Sequence, residues 1–475
     1  MSRVMPRAAT ALAIALAAAC GTVPTATGAE SGNVRADLRA DVNRDGAVDV
    51  TGDSDAAGKT MRTSRRGAIL LPNIGDKHRR CKTRKPDGRW LSNARLQACN
   101  DAQGNVVRAS GYLAPLRTVP VDNASDAAIG RLQLVGAGKS KVRLFLKRGD
   151  TWTHVTDNTR VTAAELRAGL QLGLDGRDVI REGWDGRITV ADGDRTSMDE
   201  VKLRTAPVLT QHHLQRAEQA LVVIGSRQDP DQGRFAEQFA KEVRKPGITK
   251  PTYKFKDGSD IWAQDFIKPG YVSMPGPGGK PRVLRTMIRS AQMDRDAGKQ
   301  VFELRGPSVG VAQLNTGRYD QINSTGNLET IPPYTHHGTS YPAGRITGRH
   351  GSRLPAHTAF LKAQQAQDPL VLDTGWLGIG HVYEFVQFLP ANTPRGWKIG
   401  IADPEGGLAL LRRAQRDGHG GHRCSPSRAP TPTANRPVGA YHPGAVNGVV
   451  LTPTTYLAPK QWGPAWAART SSPRR

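Results

Sequence analysis

The sequence predicts a multidomain α+β protein in which a β-rich N-terminal domain precedes an α/β domain. Short apolar segments separated by turn residues recur up to about residue 208, as in a β-sandwich. Beyond Pro207 and Val208, strand-like segments alternate with longer helical stretches, which is typical of an α/β domain. The chain has 475 residues, enough for two or three domains of ordinary size.

The composition narrows the class of protein. Lys and Arg number 67 against 42 Asp and Glu, a formal net charge of +25, and hydrophobic residues make up 37% of the chain. The 52 glycines and 32 prolines make turns abundant, which argues against a coiled coil and against a multi-span membrane protein. Only four cysteines are present, so a disulfide-dense scaffold and a protein with several zinc sites are excluded.

Residues 1–29 are predicted to be a signal peptide. Arg3 and Arg7 precede the apolar stretch 8–19, and a cleavage site follows at residues 27–29. The apolar stretch is too short to span a bilayer as a helix, so no transmembrane segment is expected. We therefore predict a secreted protein. Anchoring as a lipoprotein through Cys20 is the less favoured alternative.

Residues 30–60 form an acidic segment that contains a calcium-loop pattern. Oxygen-bearing side chains alternate around Gly46 in a D-x-N-x-D-G spacing, which suits the hard oxygen ligands that calcium prefers. These side chains are Asp41, Asn43, Asp45 and Asp49. Gly52 stands where a standard EF-hand has a bidentate glutamate, so Asp53 or Asp55 would have to complete the shell. A solvated acidic turn is the alternative interpretation.

Residues 61–208 are predicted to form the β-rich domain. Strands are expected at 67–72, 130–135 and 142–146. A short helix is expected over 162–170, because Thr162 and Glu165 have the spacing of a capping box.

Two cysteines of this domain are expected to pair. Export would place the chain in an oxidising compartment, and a bridge between Cys81 and Cys99 would stabilise the fold by about 3 kcal/mol. Two free buried thiols are the alternative. The basic run 77–85 is interpreted as a solvated loop held by this bridge. A polyanion site is the other interpretation, although nucleic acid is disfavoured because no stacking aromatic pattern accompanies the run.

Residues 209–421 are predicted to form the α/β domain, with a strand over 220–224 and a helix over 234–244. Two segments, 260–271 and 373–385, each combine an aromatic residue, a titratable group and glycines. Taken alone, such segments are consistent with core tryptophans and a turn carboxylate.

Six stretches together resemble, in the same order, the protein-arginine deiminases, which convert peptidyl arginine to peptidyl citrulline. They are 260–265 (DIWAQD), 324–333 (STGNLETIPP), 341–346 (YPAGRI), 373–390 (DTGWLGIGHVYEFVQFLP), 417–420 (DGHG) and 458–464 (APKQWGP). The resemblance implies a five-fold α/β propeller preceded by immunoglobulin-like domains. It also implies arginine-containing peptides or proteins as partners, and it leaves the oligomeric state open.

The reaction explains the residue types in these stretches. A guanidinium is a planar cation with paired N–H donors, which two carboxylates can clamp. A cysteine thiolate attacks its carbon while a histidine transfers protons. By resemblance, Asp265 is the first clamp carboxylate, His381 is the acid/base, and Trp262 packs against the aliphatic stem of the substrate.

One departure from the family falls within this site. The second clamp carboxylate belongs at position 383, where this chain has tyrosine. A phenol is uncharged at neutral pH, and losing one partner of a buried charge pair costs about 2–5 kcal/mol. If the segment is a strand, Glu384 faces the opposite way and cannot substitute.

A second departure concerns the nucleophile. The family's G-E-V-H-C-G-T-N segment has no counterpart here, and Cys424 lies in an Arg/Pro-rich context. Residues 422–475 are an anomalous tail with a residual family segment at 447–464. A frameshift or an error in the gene model is our hypothesis for this tail. We therefore expect a protein-arginine deiminase homologue that is inactive as written.

By resemblance, Gln264 and Glu329 match calcium ligands of the vertebrate enzymes of the family. Lys268 lies near where another acidic ligand is expected, and its positive charge opposes calcium binding. The alternative function is a non-catalytic secreted protein that binds calcium or peptides.

Overall fold

The computed structural model describes residues 11–14, 34–61, 63, 66–136, 138–179, 184–192, 195–227, 229–366, 368–419 and 448–458. Strands predominate over helices in this part of the chain, which gives a mixed α and β content. None of the helices described there is long and apolar enough to cross a membrane.

In the described residues, the N-terminal part contains strands of three to eleven residues and two α-helices of six residues each. The strands are β1 (Ala11–Ile14), β2 (Leu38–Ala40), β3 (Ala68–Leu70), β4 (Ala114–Thr118), β5 (Ile129–Leu134), β6 (Val142–Arg148), β7 (Thr151–His154), β8 (Arg160–Thr162), β9 (Gln171–Gly176), β10 (Trp184–Asp192) and β11 (Arg195–Thr205). The helices are α1 (Asn93–Ala98) and α2 (Ala163–Ala168). Thr162 and Glu165 form the predicted capping box of α2, so the expected helix is confirmed.

Two sheets of the N-terminal part share one core. Strands β2-β4-β9-β6-β7 form an antiparallel sheet, and β1-β10-β11-β3 form a second one. Leu116 and Leu172 of the first sheet and Leu70 and Leu203 of the second belong to the same buried cluster. Strand β1 lies within the predicted signal peptide. The rest of that predicted segment, Cys20 included, lies outside the described residues.

Where it is described, the C-terminal part contains several small sheets and four α-helices. Its strands are β12 (Leu209–Thr210), β13 (Leu221–Val223), β14 (Tyr253–Phe255), β15 (Ile267–Met274), β16 (Arg282–Arg289), β17 (Val309–Ala312), β18 (Leu328–Ile331), β19 (Tyr334–His336), β20 (Thr339–Tyr341), β21 (Gly344–Arg349), β22 (Leu370–Asp373), β23 (Val386–Pro390), β24 (Trp397–Ile401), β25 (Val449–Thr452) and β26 (Thr455–Leu457). Its α-helices are α3 (Pro230–Arg244), α4 (Ala263–Phe266), α5 (His357–Ala363) and α6 (Pro404–Ala414). Helix α3 confirms the helix predicted over 234–244.

The core of the N-terminal part continues into the C-terminal part. Val272 and Met274 of β15 and Leu284 and Ile288 of β16 belong to the same buried cluster as the N-terminal leucines. Truncating one such buried leucine to alanine typically costs about 2–5 kcal/mol. The sheet β12-β15-β16-β17 is therefore held against the β-rich part by apolar packing.

The hairpin β25–β26 also packs against the C-terminal part. Leu451 belongs to a buried cluster with Val243 and Ile248, and Gln387 Nε2 donates a hydrogen bond to the carbonyl of Gly448. This hairpin lies within the predicted residual family segment 447–464. Tail residues 422–447, including Cys424, and 459–475 lie outside the described residues.

Candidate functional site

The single-turn helix α4 presents Asp265 at the centre of the candidate site. Asp260 precedes the helix and accepts a hydrogen bond from the backbone N–H of Trp262 at 3.2 Å. Phe266 points into the core and packs edge-on against Phe255, with ring centroids 5.4 Å apart. Asp265 is 5% exposed, whereas Trp262 is 60% exposed. The helix thus buries the carboxylate and leaves the indole accessible beside it.

A 3₁₀ turn over Thr325–Asn327 lies against this helix. Ser324 Oγ donates to the carbonyl of Asp265 at 3.2 Å, and Thr325 Oγ1 donates to the carbonyl of Gln264 at 2.7 Å. A Cβ on Gly326 would lie 2.3 Å from Tyr383 Cε1 and 2.6 Å from His381 Nδ1. Only glycine therefore allows these two side chains to approach the backbone so closely.

His381 is fully buried next to Asp265. Its Nε2 lies 3.1 Å from the carbonyl oxygen of Gln321, and its Nδ1 lies 3.4 Å from Asp265 Oδ1 without forming a hydrogen bond. Burial lowers the pKa of His381, although the charges of Asp265 and Glu384 oppose that shift. Because a carbonyl only accepts, the neutral imidazole carries its proton on Nε2 and leaves Nδ1 as a free base.

Tyr383 also contacts Asp265. Its hydroxyl donates a hydrogen bond to Asp265 Oδ1 at 2.9 Å, and its ring packs against that of His381 with centroids 5.2 Å apart. Burial raises the pKa of Tyr383, and the charge of Asp265 raises it further. The phenol is therefore a neutral donor at position 383 and not a second carboxylate.

Glu384 does not take the place of that carboxylate. The segment Val382–Glu384 is a 3₁₀ turn and not the strand assumed in the sequence argument. Glu384 Oε1 accepts the backbone N–H of His381 at 2.7 Å and so caps its own turn. The alternation argument was wrong in its geometry, but Glu384 is still engaged away from Asp265.

Arg295 is a member of the site that sequence reasoning missed. It is 3% exposed, and its Nε and Nη2 donate to the two oxygens of Asp260 at 2.6 and 2.8 Å. Its Nη1 lies 3.6 Å from Asp265 Oδ2. Asp294 and Asp296 flank Arg295 in the sequence, which is typical of a solvated charged turn. No pattern of residue spacing indicates that the fold buries this arginine.

Two of the residues that the resemblance matches to a calcium site in the α/β domain, Glu329 and the nearby Lys268, hold an ion pair. Lys268 Nζ lies 3.1 Å from Glu329 Oε1, with the two side chains 15% and 7% exposed. Gln264 is exposed and contributes its backbone carbonyl to the Thr325 hydroxyl. The ammonium of Lys268 thus supplies the positive charge that Glu329 would otherwise seek from a cation, so these residues do not fit calcium.

The acidic N-terminal loop is shaped by hydrogen bonds to its own backbone. Asp41 Oδ2 accepts the N–H of Gly46 at 3.0 Å, while Asp41 Oδ1 is buried with no hydrogen-bond partner. Burial raises the pKa of Asp41 to about 6, and the neighbouring charges of Asp55 and Asp45 act in the same direction. A buried carboxylate oxygen without a donor fits a bound cation.

The remaining predicted ligands of this loop are turned to other partners. Asn43 Nδ2 donates to Asp45 Oδ2 at 2.8 Å, and Asp49 Oδ1 accepts the backbone N–H of Gly52 at 2.7 Å. Within the described ranges, no group of three or more His, Cys, Asp or Glu side chains is close enough to hold a metal ion.

The two cysteines in the described part of the chain are bonded to each other. Cys81 and Cys99 form a disulfide with their Cα atoms 5.6 Å apart. The bridge joins the basic run 77–85 to the end of α1, on a different part of the molecule from His381. These two sulfur atoms therefore cannot provide a thiolate next to Asp265.

Comparison with known proteins identifies one family. Residues 195–431 match the sequence model of the family described as protein-arginine deiminase (PAD). The match begins within β11, ahead of the predicted domain boundary at 209, and it includes Asp265 and His381.

Curated relatives match a shorter stretch. Human protein-arginine deiminase type-4 is 34% identical over 175 residues, which are 34% of this chain and 25% of the relative. Human protein-arginine deiminase type-1 is 32% identical over 174 residues, again 34% of this chain and 25% of the relative. The type-3 human protein is 30% identical over 201 residues, 39% of this chain and 29% of the relative. The aligned stretch thus spans between a quarter and a third of each relative.

Proposed function

The chain belongs to the protein-arginine deiminase family, and on that basis we propose that residues 209–421 bind the side chain of peptidyl arginine. By analogy with the family, this part of the chain would fold as a five-fold α/β propeller that follows immunoglobulin-like domains. The several small sheets of the C-terminal part support that architecture.

One observation carries the proposed site: the side chains of His381 and Tyr383 converge on the carboxylate of Asp265, which lies more than 110 positions earlier in the chain. Tyr383 Oη lies 2.9 Å from Asp265 Oδ1, and His381 Nδ1 lies 3.4 Å from it. In this proposal Asp265 binds one N–H edge of the guanidinium. His381 transfers protons, and the exposed indole of Trp262 covers the aliphatic stem.

The family reaction requires a nucleophile in addition to these groups. A thiolate adds to the guanidinium carbon, and ammonia leaves with a proton from the histidine. Water then adds at the same carbon, the thiolate leaves, and the ureido group of citrulline remains. The described residues supply the carboxylate and the histidine, whereas their two cysteines are in the disulfide.

We propose that this chain has little or no deiminase activity. Because position 383 is a tyrosine, a bound guanidinium could pair with only one carboxylate, that of Asp265. The hydroxyl of Tyr383 already donates a hydrogen bond to Oδ1 of that carboxylate. Colorimetric ureido detection with benzoyl-arginine amide as substrate tests this. We expect no turnover above buffer, with a human relative as the positive control. Turnover that is lost in a His381→Ala variant would overturn the proposed inactivity and would support the role of His381.

We also propose that calcium binds in the N-terminal loop and not in the catalytic part. Asp41 has an unpartnered buried oxygen of the hard kind that calcium prefers, and Asn43, Asp45 and Asp49 would have to turn from their present hydrogen bonds to join it. When bound, calcium would cross-link this loop. In the catalytic part Lys268 already neutralises Glu329.

A second candidate function is a non-catalytic secreted protein that binds peptides or calcium. The Tyr383–Asp265 hydrogen bond favours it, since the site keeps its shape while losing the second clamp charge. Secretion rests on the predicted signal peptide at 1–29. Peptides that contain arginine or its derivatives are the partners this function implies.

A further inference from the structure

A surface cleft of about 460 Å³ is lined by the basic run 77–85 and by the segment 302–305. Its lining contains four cationic and two acidic side chains, an excess of two positive charges. They are Arg79, Lys82, Arg84 and Arg305, with Asp76 and Glu303. The disulfide between Cys81 and Cys99 restrains the basic run at this place. The cleft therefore combines an excess of positive charge with a wall that is covalently fixed.

Arg305 is a buried cation without a hydrogen-bonded counter-ion. It is 5% exposed, and its Nη1 donates to the carbonyl of Leu96 at 2.8 Å. Its Nε and Nη2 have no hydrogen-bond partner, and no carboxylate of the described residues forms an ion pair with it. Burial lowers the pKa of Arg305 to about 10, although the negative charge of Asp76 opposes this shift. A buried guanidinium in this state costs free energy, which a bound anion would offset.

The two carboxylates of the cleft have partners of their own. Asp76 accepts the backbone N–H groups of Arg80 and Cys81 at 3.1 and 2.9 Å, which shapes the start of the basic run. Glu303 Oε1 lies 3.9 Å from Arg84 Nε. One carboxylate is thus used by the backbone and the other by one of the four cations.

Two further cations of the cleft are not engaged. The side chains of Arg79 and Lys82 are exposed, and neither makes a hydrogen bond or an ion pair with any residue that the structure describes. A Cβ on Gly306 would lie 3.1 Å from Arg79 Nη2, so this guanidinium lies next to the residue that follows Arg305. Exposed and buried cations therefore meet at one place without a shared counter-ion.

We propose that this cleft binds a doubly charged tetrahedral oxyanion, the phosphate or sulfate group of a small ligand. Guanidinium groups bind such anions through paired, charge-assisted hydrogen bonds. Two negative charges balance the excess of the lining, whereas one carboxylate balances only half of it. Arg79 and Lys82 contact the anion in this arrangement, and Arg305 supplies the buried charge that attracts it. Binding here is independent of the site at Asp265.

Isothermal titration of the full chain tests this site. The probes are sodium sulfate, sodium phosphate and sodium acetate at constant ionic strength. We expect one sulfate or phosphate to bind per chain, at least about ten-fold more tightly than acetate, a difference of about 1.4 kcal/mol. Whichever of the two binds more tightly identifies the group that the cleft prefers.

Variants with matched changes of charge locate the binding. The Arg79→Gln/Lys82→Gln variant should bind sulfate and phosphate at least about ten-fold more weakly, because two charge-assisted contacts are lost. Arg305→Met should weaken binding to a similar extent. The control is Lys77→Gln/Lys85→Gln, which removes two exposed charges of the same run that do not line the cleft. This control should keep the affinity of the wild type within about two-fold.

Thermal unfolding of each variant without added anion serves as the folding control. Acetate binding as tight as that of sulfate and phosphate would overturn the proposal. Equal weakening in the two double variants would also overturn it, since net charge alone would then explain the binding. The same holds for a folded Arg305→Met chain that binds sulfate as the wild type does. If Arg305→Met does not fold, the comparison of the two double variants decides.

Discussion

The hydroxyl of Tyr383 and the carboxylate of Asp265 form a 2.9 Å hydrogen bond at a place where the family pattern predicts two facing carboxylates. Two carboxylates in this position would repel each other until a guanidinium bound between them. The tyrosine and the aspartate instead stabilise each other without a ligand. The change from a charged to a neutral side chain thus converts a clamp for a cation into a hydrogen-bonded pair.

The Lys268–Glu329 pair gives a first prediction. Replacing Lys268 with glutamine leaves Glu329 buried without its counter-charge, so the free energy of unfolding should fall by about 3 kcal/mol. Urea denaturation measures this loss. The Lys268→Gln/Glu329→Gln double variant should recover most of it, because no unpaired charge remains. A single variant as stable as the wild type would show that the pair contributes nothing.

The same pair should also determine the response of the catalytic part to calcium. When Asp41→Asn removes calcium binding by the N-terminal loop, we expect millimolar calcium to leave the unfolding temperature of the chain unchanged. Adding Lys268→Glu to that background places a second carboxylate next to Glu329, and calcium should then raise the unfolding temperature. Magnesium is the control ion. A calcium response in the Asp41→Asn chain that retains Lys268 would contradict this assignment.

The N-terminal loop gives a separate prediction. Calcium is expected to raise the unfolding temperature of the wild-type chain by a few degrees, because binding to the folded state alone stabilises it. Asp41→Asn should remove this response, since the unpartnered oxygen of Asp41 is the feature that fits a cation. Asp87→Asn, which changes an exposed carboxylate in another loop, is the matched control and should keep the response.

The buried side chain of His357 is expected to make the folded protein less stable in acid. Both ring nitrogens are buried without hydrogen-bond partners, and burial lowers the pKa of His357 to about 4 from an ordinary value of 6.5. The folded state therefore binds this proton less readily than the unfolded state. The stability contributed by the neutral ring is complete above pH 6.5 and is lost as the pH falls toward 4, up to about 3 kcal/mol.

Urea denaturation at pH 7 and pH 5 measures this effect. The His357→Leu variant should lose clearly less stability between the two pH values than the wild type. His78→Leu, at an exposed histidine, should behave as the wild type does. Identical pH dependence in the His357→Leu chain and the wild type would show that His357 does not titrate in this way.

Local patterns predicted part of this structure well. The capping box at Thr162 and Glu165 uses contacts within one turn, so its signal lies in adjacent residues, and α2 begins where it predicts. The aromatic and glycine motifs around Asp265 and His381 likewise mark segments that the fold brings together.

Other features depend on contacts that no local pattern contains. Arg295 lies between two aspartates, yet its bonds are to Asp260, 35 positions away in the chain. The turn at Val382–Glu384 is stabilised by a cap from Glu384 and by close packing of His381 on Gly326, which overrides the expected strand. The hydrogen bond between Tyr383 and Asp265 spans 118 positions. Sequence reasoning identified the substitution but not its partner.

The comparison of kcat/KM between a Tyr383 chain and a Tyr383→Asp chain tests the central claim most directly. Both chains would be extended with a family C-terminal segment that supplies the cysteine, and both would be assayed on benzoyl-arginine amide. We predict that the Tyr383→Asp chain is faster by at least about 10²-fold, equivalent to about 2.7 kcal/mol, with part of the gain in kcat. Equal rates in the two chains would contradict the account, because position 383 would then have no part in holding the guanidinium.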